Sequence, residues 1–261
     1  MLYQKRELEN AFVFDLETIA QYPAFNDFNA KEPDKADIWL RKNHFKSLER
    51  ELKFLNEMFI LTRDDEYSNI CHLLTSDNPD NLEWAQNYIY IKYAALYAEF
   101  GKVLVMSVGM FNDNLQIDKD SIDSIAFDDE AELLKAASKM LEKAFKFVLA
   151  GYNIIQYDIP FLVKRLLIHK MKIPPILNFR GKKPWEINVT DVMKDYQGVS
   201  YEPVTLDLLC NTFGVKSPKD LIQNYQVSLK YHSKEASLQD IVVYCEKDVK
   251  ALMELMVVLC Q

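Results

Sequence analysis

Glycine, histidine and paired cysteines are scarce in this chain. It has 6 Gly in 261 residues and lacks any Gly-, Ser- or Pro-rich linker, which favours one compact unit over 1–261. The 4 histidines are scattered, so a His-rich metal site is excluded. The 4 cysteines contain no Cys-x-x-Cys pair, which argues for reduced thiols and against a zinc site or a disulfide framework.

Long apolar runs and an excess of positive charge are also missing. Without a run of about 18 apolar residues, we expect no transmembrane helix and no membrane partner. The N-terminal segment is charged and unlike a signal peptide, so we expect a cytoplasmic protein. With 31 Lys+Arg against 39 Asp+Glu, the net charge is −8, which at first argues against a nucleic-acid binder. The 49% of hydrophobic residues suits a globular core.

Short apolar runs alternate with helical spacings along the chain. Strands are predicted at 11–14, 102–111, 115–117, 147–152 and 187–189. Helices are predicted at 32–62, 81–99, 128–145, 160–170, 205–213 and 238–259. This order predicts an α/β fold, with a mixed sheet flanked by helices on both faces and a helical insertion at about 26–100 after the first strand. The aromatic residues of 84–97 are interpreted as core.

A pair of carboxylates follows the first apolar run. On a strand, Asp15 and Glu17 face the same way. Two anions held so close repel each other unless a cation lies between them, and Mg²⁺ or Mn²⁺ takes oxygen ligands of this kind. Alone, the pair is better explained as a solvated strand end, because Asp-x-Glu also occurs at 64–66 and 128–130.

Two further segments carry acids at structured positions. Asn153 and Asp158 follow the predicted strand 147–152, where the ordinary interpretations are a turn residue and a helix N-cap. Tyr244 and Asp248 share one face of the last helix. Apolar neighbours on that face aim Asp248 inward, where a carboxylate needs a cation or another partner.

Taken together, these motifs identify a family resemblance. FVFDLET (12–18), GYNIIQYDIPFL (151–162) and YCEKD (244–248) resemble the three motifs of the DEDD superfamily of 3′–5′ exonucleases, the DnaQ-like group with a ribonuclease H-like fold. The Tyr in the third motif is typical of the DEDDy subgroup. AEFGKVLVMSVG (98–109) and TLDLLCNTFGVKSPKD (205–220) are similar to the exonuclease domain of family-B DNA polymerases and to standalone bacterial exonucleases of that type.

The resemblance covers most of 11–261 and is weakest across 26–90. One conservative departure is Tyr157, where Phe is commoner. The chain stops at Gln261, so we expect no polymerase domain of its own, which argues against a built-in proofreading role but not against the chemistry.

The resemblance implies hydrolysis of a terminal phosphodiester with two divalent cations, Mg²⁺ or Mn²⁺. Asp15 would bridge both ions, Glu17 and Asp158 would complete their ligand shells, and Asp248 would hold the ion on the side of the nucleophile. Tyr244 would orient the attacking water, because a neutral phenol is a poor base. Contacts to the terminal nucleotide would come from Leu16, Thr18 and Asn153.

A basic stretch follows the second motif. Residues 159–185 hold 7 bases and no acid, with aromatic residues between them, and this composition suits single-stranded nucleic acid. A solvated helix face with a basic loop is the alternative. The candidate contacts are Lys164, Arg165, Arg180, Lys182, Lys183 and Trp185. Asp191 is interpreted as a helix cap rather than an acid supporting the site, and Asp207 as structural.

The preferred hypothesis is a 3′–5′ exonuclease acting on single-stranded ends with a free 3′ terminus, DNA rather than RNA. Two alternatives stay open. One is a catalytically silent module of the same fold that binds nucleic acid or a protein. The other is an RNA-trimming or structure-selective nuclease with the same four acids. The hypothesis allows a replication or repair partner, which the sequence does not identify.

Overall fold

The computed structural model describes residues 2–41, 79–117, 120–183, 186–200, 202–218 and 226–260. Part of the predicted helix 32–62, from residue 42 onward, lies outside them. The strands are β1 (Ala11–Ala20), β2 (Gly101–Gly109), β3 (Ile122–Ala126), β4 (Val148–Gly151) and β5 (Val189–Asp191). The α-helices are α1 (Lys5–Glu9), α2 (Phe25–Lys31), α3 (Pro33–Arg41), α4 (Pro79–Ala94), α5 (Glu130–Lys143), α6 (Asp158–Ile168), α7 (Val192–Gln197), α8 (Leu206–Phe213), α9 (Val227–His232) and α10 (Leu238–Val258).

The strands form one mixed sheet in the order β3-β2-β1-β4-β5. β1 pairs antiparallel with β2 and parallel with β4. β3 is antiparallel to β2, and β5 is parallel to β4. The predicted mixed sheet is therefore confirmed, and its central strand is β1, which carries the first acidic pair.

Helices cover both faces of the sheet, as predicted. Phe12, Phe14 and Leu16 on one face of β1 pack in a core with apolar residues of α5 and α6. Ala11 and Val13, on the opposite face, pack against apolar residues of α10. This alternation follows from the period of two along a strand, and it means that β1 is buried on both faces.

The third strand differs from the prediction. It is β3, at 122–126, and not 115–117. Asn112 Oδ1 accepts from the backbone N–H groups of Asn114 and Gln116, at 3.0 and 2.8 Å, so the chain turns there instead of pairing. Leu115 has a φ of 57°, which no strand residue adopts. β3 escaped detection because an edge strand, only half buried, tolerates polar residues such as Asp123.

The helical insertion between β1 and β2 contains α2, α3 and α4. Its described aromatic side chains build a core of their own, in which Phe28 stacks on Tyr90 with ring centroids 4.9 Å apart and Trp39 meets Phe100 at 4.9 Å. Tyr93 and Tyr97 pack against this cluster. The side chain of Trp84 lies outside the described residues. The described aromatic residues thus stabilise the insertion as a packed unit.

Among the described helices, none combines the length and the apolar character that crossing a membrane requires.

Candidate active site

The site lies where β1 extends beyond the end of its parallel neighbour, β4. The pairing of β1 with β4 ends at Val13↔Ala150, so residues 15–20 continue beyond the carboxyl end of β4. Carboxyl ends of parallel strands are the usual place for functional groups in open α/β sheets. Asp15 and Glu17 lie on the face of β1 that also carries Val13 and Ile19, and α10 covers this face. A register shift between Glu17 and Thr18 marks a bulge beside the site.

Helix α10 brings the third motif to these acids. It starts with the predicted capping box of Ser237 and Asp240. Tyr244, Cys245 and Asp248 lie on its buried face, with exposed fractions of 4% for Tyr244 and 8% for Asp248. The Tyr244 hydroxyl is hydrogen-bonded to Asp248. The Cys245 thiol lies 3.5 Å from Asp15 Oδ2.

Asp158 reaches the site from the other side. Helix α6 begins at Asp158, two residues before the predicted start, so Asp158 stands in the first turn and is not the N-cap. Its Oδ1 accepts from the backbone N–H of Leu16 at 3.2 Å. The carboxylate therefore occupies the edge of β1 that β4 has left unpaired, and it is 3% exposed.

The loop between β4 and α6 is held by Asp191. Its carboxylate accepts from the backbone N–H groups of Asn153 and Ile155, at 3.0 and 3.1 Å. It also caps α7 by accepting from Lys194 N–H at 3.3 Å, as predicted, but the interpretation that it does not support the site is wrong, because the same carboxylate holds the Asn153 loop. Asn153 takes a left-handed φ of 57°, which Asn tolerates, and its buried Oδ1 has no hydrogen-bond partner.

The four acids open into one cleft of about 650 Å³, a size typical of ligand sites. Leu16, Thr18 and Asn153 line it too, and Tyr244 lies behind Asp248 without lining it. Most of the remaining lining comes from two parts of the chain, the end of the helical insertion at 92–96 and residues 193–218, and Tyr152, Tyr157 and Ser228 complete it. The structure thus assembles the acids of all three motifs around one space.

Burial raises the pKa of three of the four carboxylates, and neighbouring charges add to it. Burial raises the pKa of Asp15 and Glu17 well above the usual range, and the neighbouring charges of Asp158 and Asp248 raise both further. Burial raises the pKa of Asp158 to about 7, although the N–H of Leu16 opposes this. Negative charge concentrated in this way requires either protons or cations.

The donor set fits a hard divalent cation. One oxygen each from Asp15 and Glu17 and the sulfur of Cys245 lie within 4.8 Å of one another. Burial raises the pKa of the Cys245 thiol well above its usual value. The thiol therefore stays protonated and serves as a donor to Asp15, while the carboxylates supply the oxygen ligands that Mg²⁺ and Mn²⁺ prefer. The buried Oδ1 of Asp248 offers a further ligand atom.

Two hydroxyls connect the site to the insertion. Thr18 Oγ1 and Tyr157 OH lie 2.7 Å apart, and they lie 2.9 and 3.0 Å from the carbonyl oxygen of Ala95. Two hydroxyl protons serve these three contacts. The hydroxyl that distinguishes Tyr157 from the commoner Phe is therefore used to join β1, the second motif and the end of the insertion.

The basic stretch requires a correction at Arg165. This residue was predicted to contact nucleic acid, but its side chain is 3% exposed. Its Nε and Nη2 donate to Glu130 at 2.8 and 2.5 Å, and its Nη1 donates to the Ala98 carbonyl at 2.7 Å. A guanidinium that is buried and paired with Glu130 cannot bind phosphate, so the prediction for Arg165 is wrong. The others (Lys164, Arg180, Lys182 and Lys183) lie outside the cleft lining, and Trp185 lies outside the described residues.

Sequence reasoning overlooked two residues at the site. Cys245 could have been found, because Ile241, Tyr244, Cys245 and Asp248 follow the i, i+3, i+4, i+7 spacing of one helix face. Lys92 could not, because nothing in the local pattern of α4 distinguishes it from other surface lysines.

The family comparison agrees with this architecture. Residues 94–260 match the family model described as the RNase_H superfamily. A family B DNA polymerase from the hyperthermophilic archaeon Pyrobaculum calidifontis is structurally similar, with 15% sequence identity and a TM-score of 0.45. The similarity covers 60% of this chain and 22% of the polymerase chain. No curated protein matches the chain significantly.

Proposed function

Because the chain belongs to the RNase H superfamily, we propose that it is a metal-dependent 3′–5′ exonuclease that shortens single-stranded nucleic acid, DNA in preference to RNA. One observation carries the proposal: Asp15, Glu17, Asp158 and Asp248, supplied by one strand and two helices, line the same cleft. Four acids around one space, of which Glu17, Asp158 and Asp248 are buried and Asp15 is partly buried, are costly for a binding module, whereas they suit a hydrolase that binds cations.

The four acids have distinct roles in this proposal. Asp15 would be shared between two cations, with Glu17 and Asp158 completing their ligand shells and Asp248 holding the ion beside the nucleophile. Divalent cations bound there supply activation of water and charge stabilisation at the leaving oxygen. The N–H of Leu16 and the Cys245 thiol keep the carboxylates of Asp158 and Asp15 in place.

The terminal nucleotide would bind next to these acids. Leu16 and Thr18 line the cleft beside Asp15 and Glu17. The Thr18 hydroxyl is already used on Ala95 and Tyr157, so Thr18 would contact the nucleotide through its methyl group. Asn153 would be the better polar contact, because its side chain lines the cleft and its Oδ1 has no hydrogen-bond partner within the protein.

Tyr244 would act by positioning Asp248. Burial, and then the charges of Asp248 and Glu17, raise the pKa of Tyr244 far above the usual value, so its hydroxyl stays protonated and donates to Asp248. We expect Tyr244→Phe to lower kcat by about 10–100-fold, the usual effect of losing a group that orients a metal ligand. The pH profile of kcat distinguishes this role from that of a general base. If Tyr244 were the base, Tyr244→Phe would abolish the dependence of kcat on pH in the alkaline range.

Purified protein incubated with 5′-labelled single-stranded oligonucleotides tests the proposal. We expect a ladder that shortens from the labelled strand's 3′ end in Mg²⁺ or Mn²⁺, and faster shortening of DNA than of RNA. EDTA should prevent it. A matched 3′-phosphorylated oligonucleotide is the control for end recognition. Intact DNA and RNA under every metal condition would favour the silent binding module, and faster shortening of RNA would favour the RNA-trimming enzyme.

A further inference from the structure

The cleft is lined by a positively charged side chain that has no role in the proposed hydrolysis. Among the described residues that line it, Lys92 is the one with a positively charged side chain. Its Nζ lies 5.2 Å from the centroid of the Tyr93 ring and 5.6 Å from that of Tyr88. Such ring faces attract and orient an ammonium group. A phosphodiester chain approaching four acids gains from a positive charge on the wall of the cleft.

The basic stretch does not supply this charge. Lys164 Nζ pairs with Glu99 at 3.6 Å, Arg165 is buried on Glu130, and Lys182 lies over the ring of Phe179. None of the described bases of 159–183 lines the cleft. Lys92, which the sequence pattern did not distinguish, is therefore better placed to contact phosphate than the bases of the stretch 159–183.

Apolar side chains accompany Lys92. Tyr93 and Leu96 line the same cleft, and Leu96 is 53% exposed. Single-stranded nucleic acid is bound by this combination, in which a cation contacts the backbone and apolar or aromatic groups contact the bases.

Hydrogen bonds fix the position of residues 92–96 relative to the acids. Lys92 lies in the last turn of α4, and the Ala95 carbonyl just beyond it is bonded to the hydroxyls of Thr18 and Tyr157. Thr18 follows Glu17 directly on β1. The contact of Ala95 with β1 thus holds the end of the insertion beside the acidic pair.

We propose that residues 92–96, at the end of the helical insertion, form a nucleic-acid-binding wall of the cleft, with Lys92 Nζ contacting a phosphate of the bound strand and Leu96 its base. This assignment rests on the proposed function in one respect, that the substrate is a single-stranded nucleic acid. Under this assignment the insertion binds substrate in addition to packing its own aromatic core.

Binding of a fluorescent 12-residue oligothymidylate, measured by anisotropy with Mg²⁺ in an Asp15→Asn background, tests the assignment. We expect Lys92→Gln to raise Kd about fivefold at 0.1 M salt, and to lower the slope of log K against log salt by about 0.7, as for one lost phosphate contact. Lys92→Arg should keep both values close to those of the parent. In the otherwise wild-type enzyme, Lys92→Gln should raise KM more than it lowers kcat.

Two matched lysine variants complete the design. Lys135→Gln, on the outer surface of α5, controls for the loss of one charge, and Lys182→Gln tests the basic stretch. Equal Kd and salt slope for Lys92→Gln and Lys135→Gln would overturn the assignment, as would a loss in Lys182→Gln alone. A wild-type protein that binds the oligonucleotide through Lys92 without shortening it would instead overturn the exonuclease function. The melting temperature of each variant separates misfolding from lost binding.

Discussion

Asp15→Asn should abolish hydrolysis while the protein stays folded. We expect kcat to fall by at least about 10³-fold, since loss of even one preorganised electrostatic group at a reacting centre costs about 10²–10³. The substitution keeps the size of the side chain, so β1 and its contacts with β2, β4 and α10 should persist. Asp248→Asn should have the same effect, because its carboxylate is aimed at the same cleft from α10.

The measurement is initial rate on a 5′-labelled oligonucleotide, together with thermal melting of each variant. Asp113→Asn is the matched control, since Asp113 is an exposed turn residue with the same substitution chemistry and should keep the wild-type rate. A folded Asp15→Asn protein with near-normal activity would refute the assignment of the site.

Chelation of the metal should abolish activity as completely as Asp15→Asn does. The stability of the metal-free protein should also fall as the pH rises. Because the pKa of Asp158 is raised to about 7 in the folded protein, the folded state binds this proton more tightly than the unfolded chain does. The stabilisation of the folded state by the proton on Asp158 is therefore fully present below about pH 4, the usual pKa of Asp, and is lost as the pH rises through about 7. Asp15 and Glu17 act in the same direction.

Melting curves in EDTA and in Mg²⁺ at pH 5 and pH 8 measure this dependence. At pH 8, in EDTA, we expect Asp158→Asn to melt higher than wild type by about 2 °C or more, the shift for about 1 kcal/mol in a chain of this size. At pH 5 the difference should shrink. Mg²⁺ should stabilise wild type more at pH 8 than at pH 5, because its ligands must lose their protons.

Asp158→Asn should gain least from Mg²⁺, since it lacks one ligand. Asp113→Asn again serves as the control, and it should follow the wild-type curves. A wild-type protein that Mg²⁺ and Mn²⁺ fail to stabilise at pH 8 would show that the acidic cluster is not a metal site.

The net charge of −8 illustrates how composition can mislead. It argues against a nucleic-acid partner only if charge is spread evenly, and here four acids are gathered in one cleft beside Lys92. A basic stretch in the sequence was the natural place to look for phosphate contacts. Arg165, within that stretch, is used inside the protein to join α6 to Glu130.

Local periodicity determined much of this protein before any tertiary structure was known. Two acids separated by one residue on a strand share a face, and Tyr244 and Asp248 share a helix turn, because these spacings follow from backbone geometry alone. The order of apolar runs likewise predicted a mixed sheet with helices on both faces. These features depend on neighbours in sequence, which is why the chain alone reveals them.

Only the tertiary structure decided which groups meet across elements. The hydrogen bond from Leu16 to Asp158, the Cys245 thiol on Asp15, the burial of Arg165 and the place of Lys92 in the cleft all join residues far apart in the chain. Such contacts depend on how the helices and strands pack, and packing gives no local signal at either partner. The edge strand β3 escaped for a related reason: with one side exposed, it needs no apolar run.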